Sequence, residues 1–258
     1  MTMTEPAMRS GSDVPALDWQ GQPIDCTTCH HQDDLLAGAC TPGKACVHDR
    51  YAPRIDRFFT AQPHLADSYL GHPYFEVRAV AVKHASLFRL AGLANDPDET
   101  VRWSVAMRLP PAQLHRLAND PHREVRIRVA ARIALDHLPT MMHDADYYVR
   151  QVVARRLPTA MLHRMAHDAD PEVRKVVARR AKGGLLLQIA SDPDPTVRLA
   201  ALERLPVHLL ASWRADPDWQ VRYAIAERIA PGLLKPLLDD ADEEVRRIAR
   251  ARLAGNKG

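Results

Sequence analysis

No cysteine lies beyond residue 46, and aromatic residues make up only 5% of the 258-residue chain. The first scarcity confines any thiol chemistry to the N-terminal part. The second means that a core must be filled by Leu, Val, Ile and Ala. No stretch of about 18 apolar residues occurs, which excludes a transmembrane helix. The N-terminus lacks a basic segment followed by an apolar one, so no signal peptide is expected and the protein is expected in the cytoplasm. Thiols there stay reduced, and clustered cysteines bind metal more often than they pair. No window alternates apolar and polar residues with β-branched enrichment, so no strand is expected. No Ser-His-Asp set, paired carboxylates or phosphate loop stands out, so the chain is not expected to be an enzyme.

The net charge of +3 conceals an asymmetry. Residues 1–70 hold 5 Lys/Arg against 9 Asp/Glu, and residues 71–258 hold 30 against 23. A basic excess of that size over so long a stretch is a weak nucleic-acid signal.

What is present is a repeat. Val-Arg recurs every 24 residues at Val77-Arg78, Val101-Arg102, Val125-Arg126, Val149-Arg150, Val173-Arg174, Val197-Arg198, Val221-Arg222 and Val245-Arg246. A strict period of this length means a solenoid of stacked units, which bury apolar surface only against their neighbours. Asp170 suits an N-cap, Pro171 the first helical position and Glu172 the positive helix end. Asp recurs at that offset as Asp98, Asp146, Asp194, Asp218 and Asp242. Val173, Val177, Ala178 and Ala181 then share one helical face. Leu109-Pro110, Leu157-Pro158 and Leu205-Pro206 stop the helix after about ten residues. A second segment carries Leu90, Leu114, Leu138, Leu162, Leu186, Leu210 and Leu234 at one offset. It has room for about two turns, so a 3₁₀ helix is as plausible there as an α-helix.

The arginine after each valine lies inside the apolar arc, so its stem is packed and its guanidinium needs a carboxylate. Asp96, Asp120, Asp144, Asp168, Asp192, Asp216 and Asp240 recur at a fixed offset and supply one. An Arg–Asp ladder between repeats is expected. A second series, Arg108, Arg132, Arg156, Arg180, Arg204, Arg228 and Arg252, stands near the helix ends, where free carbonyls and the dipole favour cations. The outward offset of Trp103, Ile127, Gln151, Lys175, Leu199, Tyr223 and Arg247 carries no uniform basic stripe.

The four cysteines, Cys26, Cys29, Cys40 and Cys46, are spaced C-x2-C-x10-C-x5-C within IDCTTCHHQDDLLAGACTPGKACVHD. Gly38 and Gly43 let the backbone bend around a common centre. A structural Zn(Cys)4 site and an iron–sulfur cluster need the same donors, and the spacing decides between neither. CTTCH also matches a haem attachment motif, which needs an exported protein and leaves Cys40 and Cys46 without a role. Two disulfides are disfavoured in a reducing compartment. His30, His31 and His48 are expected to be exposed loop residues, since four cysteines already complete a site.

A 24-residue repeat of the form D-x-D-P-E-V-R-x-x-V-A-x-R-L-P-x-x-x-L-x-x-L-A, preceded by four cysteines, resembles the leucine-rich repeat variant proteins with an N-terminal iron–sulfur domain. The resemblance spans about residues 21 to 253. It implies an all-α, right-handed superhelical solenoid of alternating α- and 3₁₀-helices, and a 4Fe–4S cluster on Cys26, Cys29, Cys40 and Cys46. Family members are associated with nitrogen-fixing bacteria. His72 and Tyr74 depart from the pattern in the first repeat, and Lys182-Gly183-Gly184 replaces a Leu-Pro stop and is expected to loosen one turn.

The expected organisation is a flexible N-terminus over 1–20, a cysteine domain and cap over 21–70, and about eight repeats over 71–258. Residues 54–70 are expected to join the two parts, with Phe58, Phe59 and Leu65 sealing the apolar end. The function expected is a scaffold for an unidentified protein partner, carrying an electron-transferring or redox-sensing cluster. The alternative is a HEAT-like solenoid that binds nucleic acid and carries structural zinc, since D-P-x-x-V-R is also similar to those repeats. No membrane partner is expected.

Overall fold

The computed structural model describes residues 14–255. These form two compact units, one ending at Ala134 and the other beginning at Leu135. The division falls inside the repeats, and within the first unit the first repeat packs on the preceding helices. Most of the stretch expected to be flexible, residues 1–13, lies outside the described residues. Residues 14–20 are tied down: Leu17 bridges Pro23, and Arg54 donates to the carbonyls of Val14 at 2.5 Å and Pro15 at 3.3 Å.

The first unit contains α1 (Gln32–Leu36), α2 (Ala52–Ala61), a 3₁₀ helix over Pro63–Tyr69, α3 (Phe75–His84), α4 (Leu87–Leu90) running into 3₁₀ Ala91–Asn95, α5 (Glu99–Arg108), 3₁₀ Pro111–Leu117 and α6 (Arg123–Arg132). The second holds 3₁₀ Leu138–Met141, α7 (Tyr147–Arg156), 3₁₀ Thr159–Met165, α8 (Pro171–Arg180), α9 (Gly183–Ile189), α10 (Pro195–Leu202), 3₁₀ Val207–Trp213, α11 (Trp219–Arg228), 3₁₀ Pro231–Leu233 and Lys235–Asp239, and α12 (Glu243–Gly255). Among the described residues there is no strand, only the isolated bridges Leu17–Pro23 and Thr41–Ala45.

The repeat chemistry explains the alternation. Asp98, Asp170 and Asp194 each accept a hydrogen bond at 2.8 Å from the backbone N–H two residues on, satisfying an orphan donor of the first turn. His122 occupies the same position before α6 without a side-chain cap. Leu109 and Leu157 leave their helices in an extended conformation before proline. Two of the second segments, residues 86–95 and 182–191, contain no proline, and these two open with α-helical turns, α4 and α9. Lys182-Gly183-Gly184 therefore does not loosen the array. With its backbone donors intact, the segment winds as a seven-residue α-helix.

Each unit is filled by the repeated valine and leucine. Val77, Val101 and Val125 are fully buried in the first, as are Val149, Val173, Val197, Val221 and Val245 in the second. Each such side chain contributes about 1.5–3 kcal/mol on leaving water. The arginine ladder forms as expected. Arg78 donates to Asp96 through Nε and Nη2, both at 2.8 Å, and Arg174 to Asp192 at 2.8 and 3.0 Å. Nη1 of Arg78 turns back to the carbonyls of His72 at 2.8 Å and Pro73 at 3.0 Å. The second arginine series crosses between repeats instead of capping its own helix. Arg108 reaches the carbonyls of Val82 at 2.7 Å and Ala85 at 3.0 Å, and Arg252 those of Ala226 and Ile229 at 2.8 and 2.7 Å.

Candidate metal centre

Local turns bring the four thiols into one module. The Asp25 carboxylate accepts from the Thr27 N–H at 2.8 Å and its hydroxyl at 2.6 Å, which folds the backbone between Cys26 and Cys29. These bonds hold Asp25 below the usual carboxylate range. After α1, Gly38 takes φ +74°, and the Asp34 carbonyl accepts from Ala39 at 2.9 Å and Cys40 at 3.1 Å. Gly43, at φ +75°, turns the chain so that Thr41 and Ala45 exchange backbone bonds of 2.7 and 2.8 Å. Cys46 follows, its N–H bonded to the Arg54 carbonyl at 3.1 Å. Arg54 and Asp49, 1% and 0% exposed, form a buried ion pair at 3.0 Å that pins this loop to α2.

The four cysteines are unpaired in the structure. Cys40 and Cys46 are 4% and 2% exposed, whereas Cys26 and Cys29 are half-buried. Burial pushes the Cys46 thiol up to about 12. Cys40 is raised first by burial and then by the charges of Cys29 and Cys26. Thiols that burial and their mutual repulsion both keep from ionising suit a cationic group that draws off their protons. Backbone donors are also aimed at the sulfurs: the His31 N–H lies 3.4 Å from Cys29 Sγ, and His48 and Asp49 donate to Cys46. Among the described residues, no three His, Cys, Asp or Glu side chains are gathered as a single-ion site. The fit to a metal group therefore rests on the chemistry of the donor set.

His30 is exposed as expected, but His31 and His48 are half-buried. Their rings have aromatic surface to pack on: His31 lies 5.0 Å from Phe58 and 6.0 Å from Tyr69, and 6.3 Å from His48. His48 is held below the usual imidazole range by burial and then by His31. His31 Nδ1 meets Asp34 Oδ2 at 2.8 Å and its Nε2 meets the Tyr69 hydroxyl at 2.5 Å. Tyr69 is pushed up to about 12 by burial and then by the charges of Cys29, Cys46 and Cys40. Phe58 and Phe59 are fully buried and Leu65 half-buried, so α2 closes the apolar end as expected. A cavity of about 300 Å³ opens beside Cys29, walled by Asp18, Trp19, Ile24, Asp25 and His48. Sequence reasoning missed Tyr69, Arg54 and Asp49. No spacing rule marks them: Tyr69 meets His31 across 38 residues, Arg54 meets Val14 across 40, and Asp49 stands out only through its buried pairing with Arg54.

Stacked helical repeats joined to a four-thiol module define an iron–sulfur repeat protein. A family described as the LRV protein FeS4 cluster matches residues 16–68. A solved structure of a leucine-rich repeat variant with a novel repetitive protein structural motif superposes with a TM-score of 0.83 at 44% identity, over 89% of this chain and 99% of that one. The uncharacterized 27.7 kDa protein in the nifB 3′ region of Rhodobacter capsulatus is 52% identical over 96 residues, which are 37% of this chain and 39% of that protein. The match thus spans well under half of this curated relative. The chain belongs to the leucine-rich repeat variant family, with the FeS4 cluster module of these proteins at its N-terminus. No helix among the described residues is long and apolar enough to cross a membrane.

Proposed function

We propose that Cys26, Cys29, Cys40 and Cys46 hold a 4Fe–4S cluster and that the protein exchanges single electrons with a protein partner docked on its repeats. When bound, such a cluster supplies a one-electron couple. The observation that carries the reading is the uneven exposure of the thiols. Cys40 and Cys46 are buried, while Cys26 and Cys29 are more exposed and Cys29 borders the cavity. A partner can approach the more exposed pair, and water is kept from the other. The backbone N–H groups at Cys29 and Cys46 favour the more negative, reduced state. The repeats contribute surface, with their periodic aspartates and arginines engaged in caps, ladder and carbonyl bonds. A role in nitrogen fixation is supported by the nifB 3′ region named for the Rhodobacter relative.

Anaerobic purification with iron, sulfide and zinc analysis tests this. The expected result is about four iron and four sulfide per chain and a visible band that bleaches on reduction. Stoichiometric zinc in a colourless protein would replace the cluster with a structural site. A pulldown that recovers the same proteins with and without the metal group would remove the redox partner.

A further inference from the structure

Tyr69 ends the 3₁₀ helix over Pro63–Tyr69 and lies outside the cysteine loop in sequence. Its hydroxyl nevertheless closes a hydrogen-bonded chain into the cysteine loop. It meets His31 Nε2 at 2.5 Å. The opposite ring nitrogen, Nδ1, faces the Asp34 carboxylate at 2.8 Å and so carries a proton. That leaves Nε2 to accept from the tyrosine. Gln62, 5% exposed, faces the same carboxylate, and with its amide nitrogen toward it donates at 3.0 Å. The ring of Tyr69 is held in turn by Phe59 at 5.6 Å and His72 at 6.0 Å. His31 is thereby fixed at both nitrogens, and its backbone N–H is the group that points at Cys29 Sγ.

We infer that Tyr69 is a positioning residue for the metal centre: through His31 it fixes the N–H···S bond to Cys29 and so raises the reduction potential. This rests on the cluster reading above. Hydrogen bonds to cluster sulfurs stabilise the reduced state, so loosening one lowers the potential. The hydroxyl also ties the cysteine loop to the helices that seat the first repeat.

The test is a double-mutant cycle of Tyr69→Phe, His31→Phe and both together in the full chain, with potentials from spectroelectrochemical titration. Iron content and circular dichroism are read on each variant, and Tyr148→Phe serves as a distant control. We expect each single variant to keep its helices and shift the ratio of reduced to oxidised protein three- to tenfold toward oxidised at fixed applied potential. Tenfold is about 59 mV for one electron. The double variant should shift no further than the larger single, because the two residues act as one unit. Wild-type potential in Tyr69→Phe, or shifts that add, would overturn the inference. So would loss of iron from Tyr69→Phe with an unaltered potential in His31→Phe. Loss of iron from both with intact helices would support positioning at these residues. A zinc-loaded, colourless wild-type protein would overturn the cluster reading itself, and this inference with it.

Discussion

Arg102 grips Asp120 eighteen residues on through two parallel bonds, Nε to Oδ2 at 2.7 Å and Nη2 to Oδ1 at 3.1 Å, with both side chains buried. Its remaining nitrogen, Nη1, donates to the carbonyls of Asp96 at 2.8 Å and Pro97 at 3.1 Å. Asp120→Ala would strand a buried guanidinium, at an expected cost of about 3–5 kcal/mol. Replacing both, as Arg102→Met with Asp120→Leu, should recover part of that loss, because the desolvated charge goes with its partner. Urea unfolding midpoints of the two variants against wild type check it. An Asp120→Ala protein as stable as wild type would show that the ladder is ornamental.

The caps give a prediction of opposite sign. Asp194→Ala should cost about 1 kcal/mol, since the Thr196 N–H loses its 2.8 Å acceptor. His122→Asp should stabilise by about 1 kcal/mol, because it supplies the cap that α6 lacks. Thermal melting of both against wild type is the measurement.

The ladder also makes stability depend on acid. The Arg222 hydrogen bond holds the Asp240 carboxyl below its usual value of 3.8. A depressed folded pKa means that its contribution is complete above the unfolded value and is lost as pH falls through the folded one. Melting temperature should therefore hold between about pH 5 and 7 and fall below about pH 4. In Asp240→Asn that fall should be smaller. An equal fall would assign the acid sensitivity elsewhere.

Gly38 sits at φ +74° with nothing within 4 Å of an added Cβ, so alanine there meets backbone strain and no clash. Gly38→Ala is expected to cost about 1–2 kcal/mol, and Gly38→Asn less. Denaturation of the cysteine module, followed through the Trp19 fluorescence, would show it.

Replacing Cys40 or Cys46 by alanine should remove bound iron and leave the helical circular dichroism nearly unchanged. The helices from α5 onward are held by the buried valines, arginine bonds and, except at α6 and α9, aspartate caps of their own repeats. Iron analysis beside far-ultraviolet spectra separates the two effects.

The 24-residue period, the aspartate caps and the proline stops were enough to read the repeated helices, since each is a local rule about a backbone donor or a blocked carbonyl. The Arg–Asp ladder was legible too, because a period converts offset into proximity. The choice between α and 3₁₀ in the second segment stayed open in the sequence; in the structure it follows proline content, and the proline-free segment after Lys182 winds as an α-helix. The cysteine spacing marked the metal module, but not its surroundings. His31 and His48 read as exposed in the sequence, but Phe58 and Tyr69 give His31 a surface to pack on, and His31 and His72 flank His48. Tyr69 lies 38 residues from His31, and Arg54 40 residues from Val14. Contacts at that range carry no period and no motif, and they form only when α2 closes over the loop. The sequence by itself therefore determined the repeat, its caps and the four candidate donors. Only the tertiary structure decided which thiols are buried, which N–H groups face them, and which side chains hold that arrangement in place.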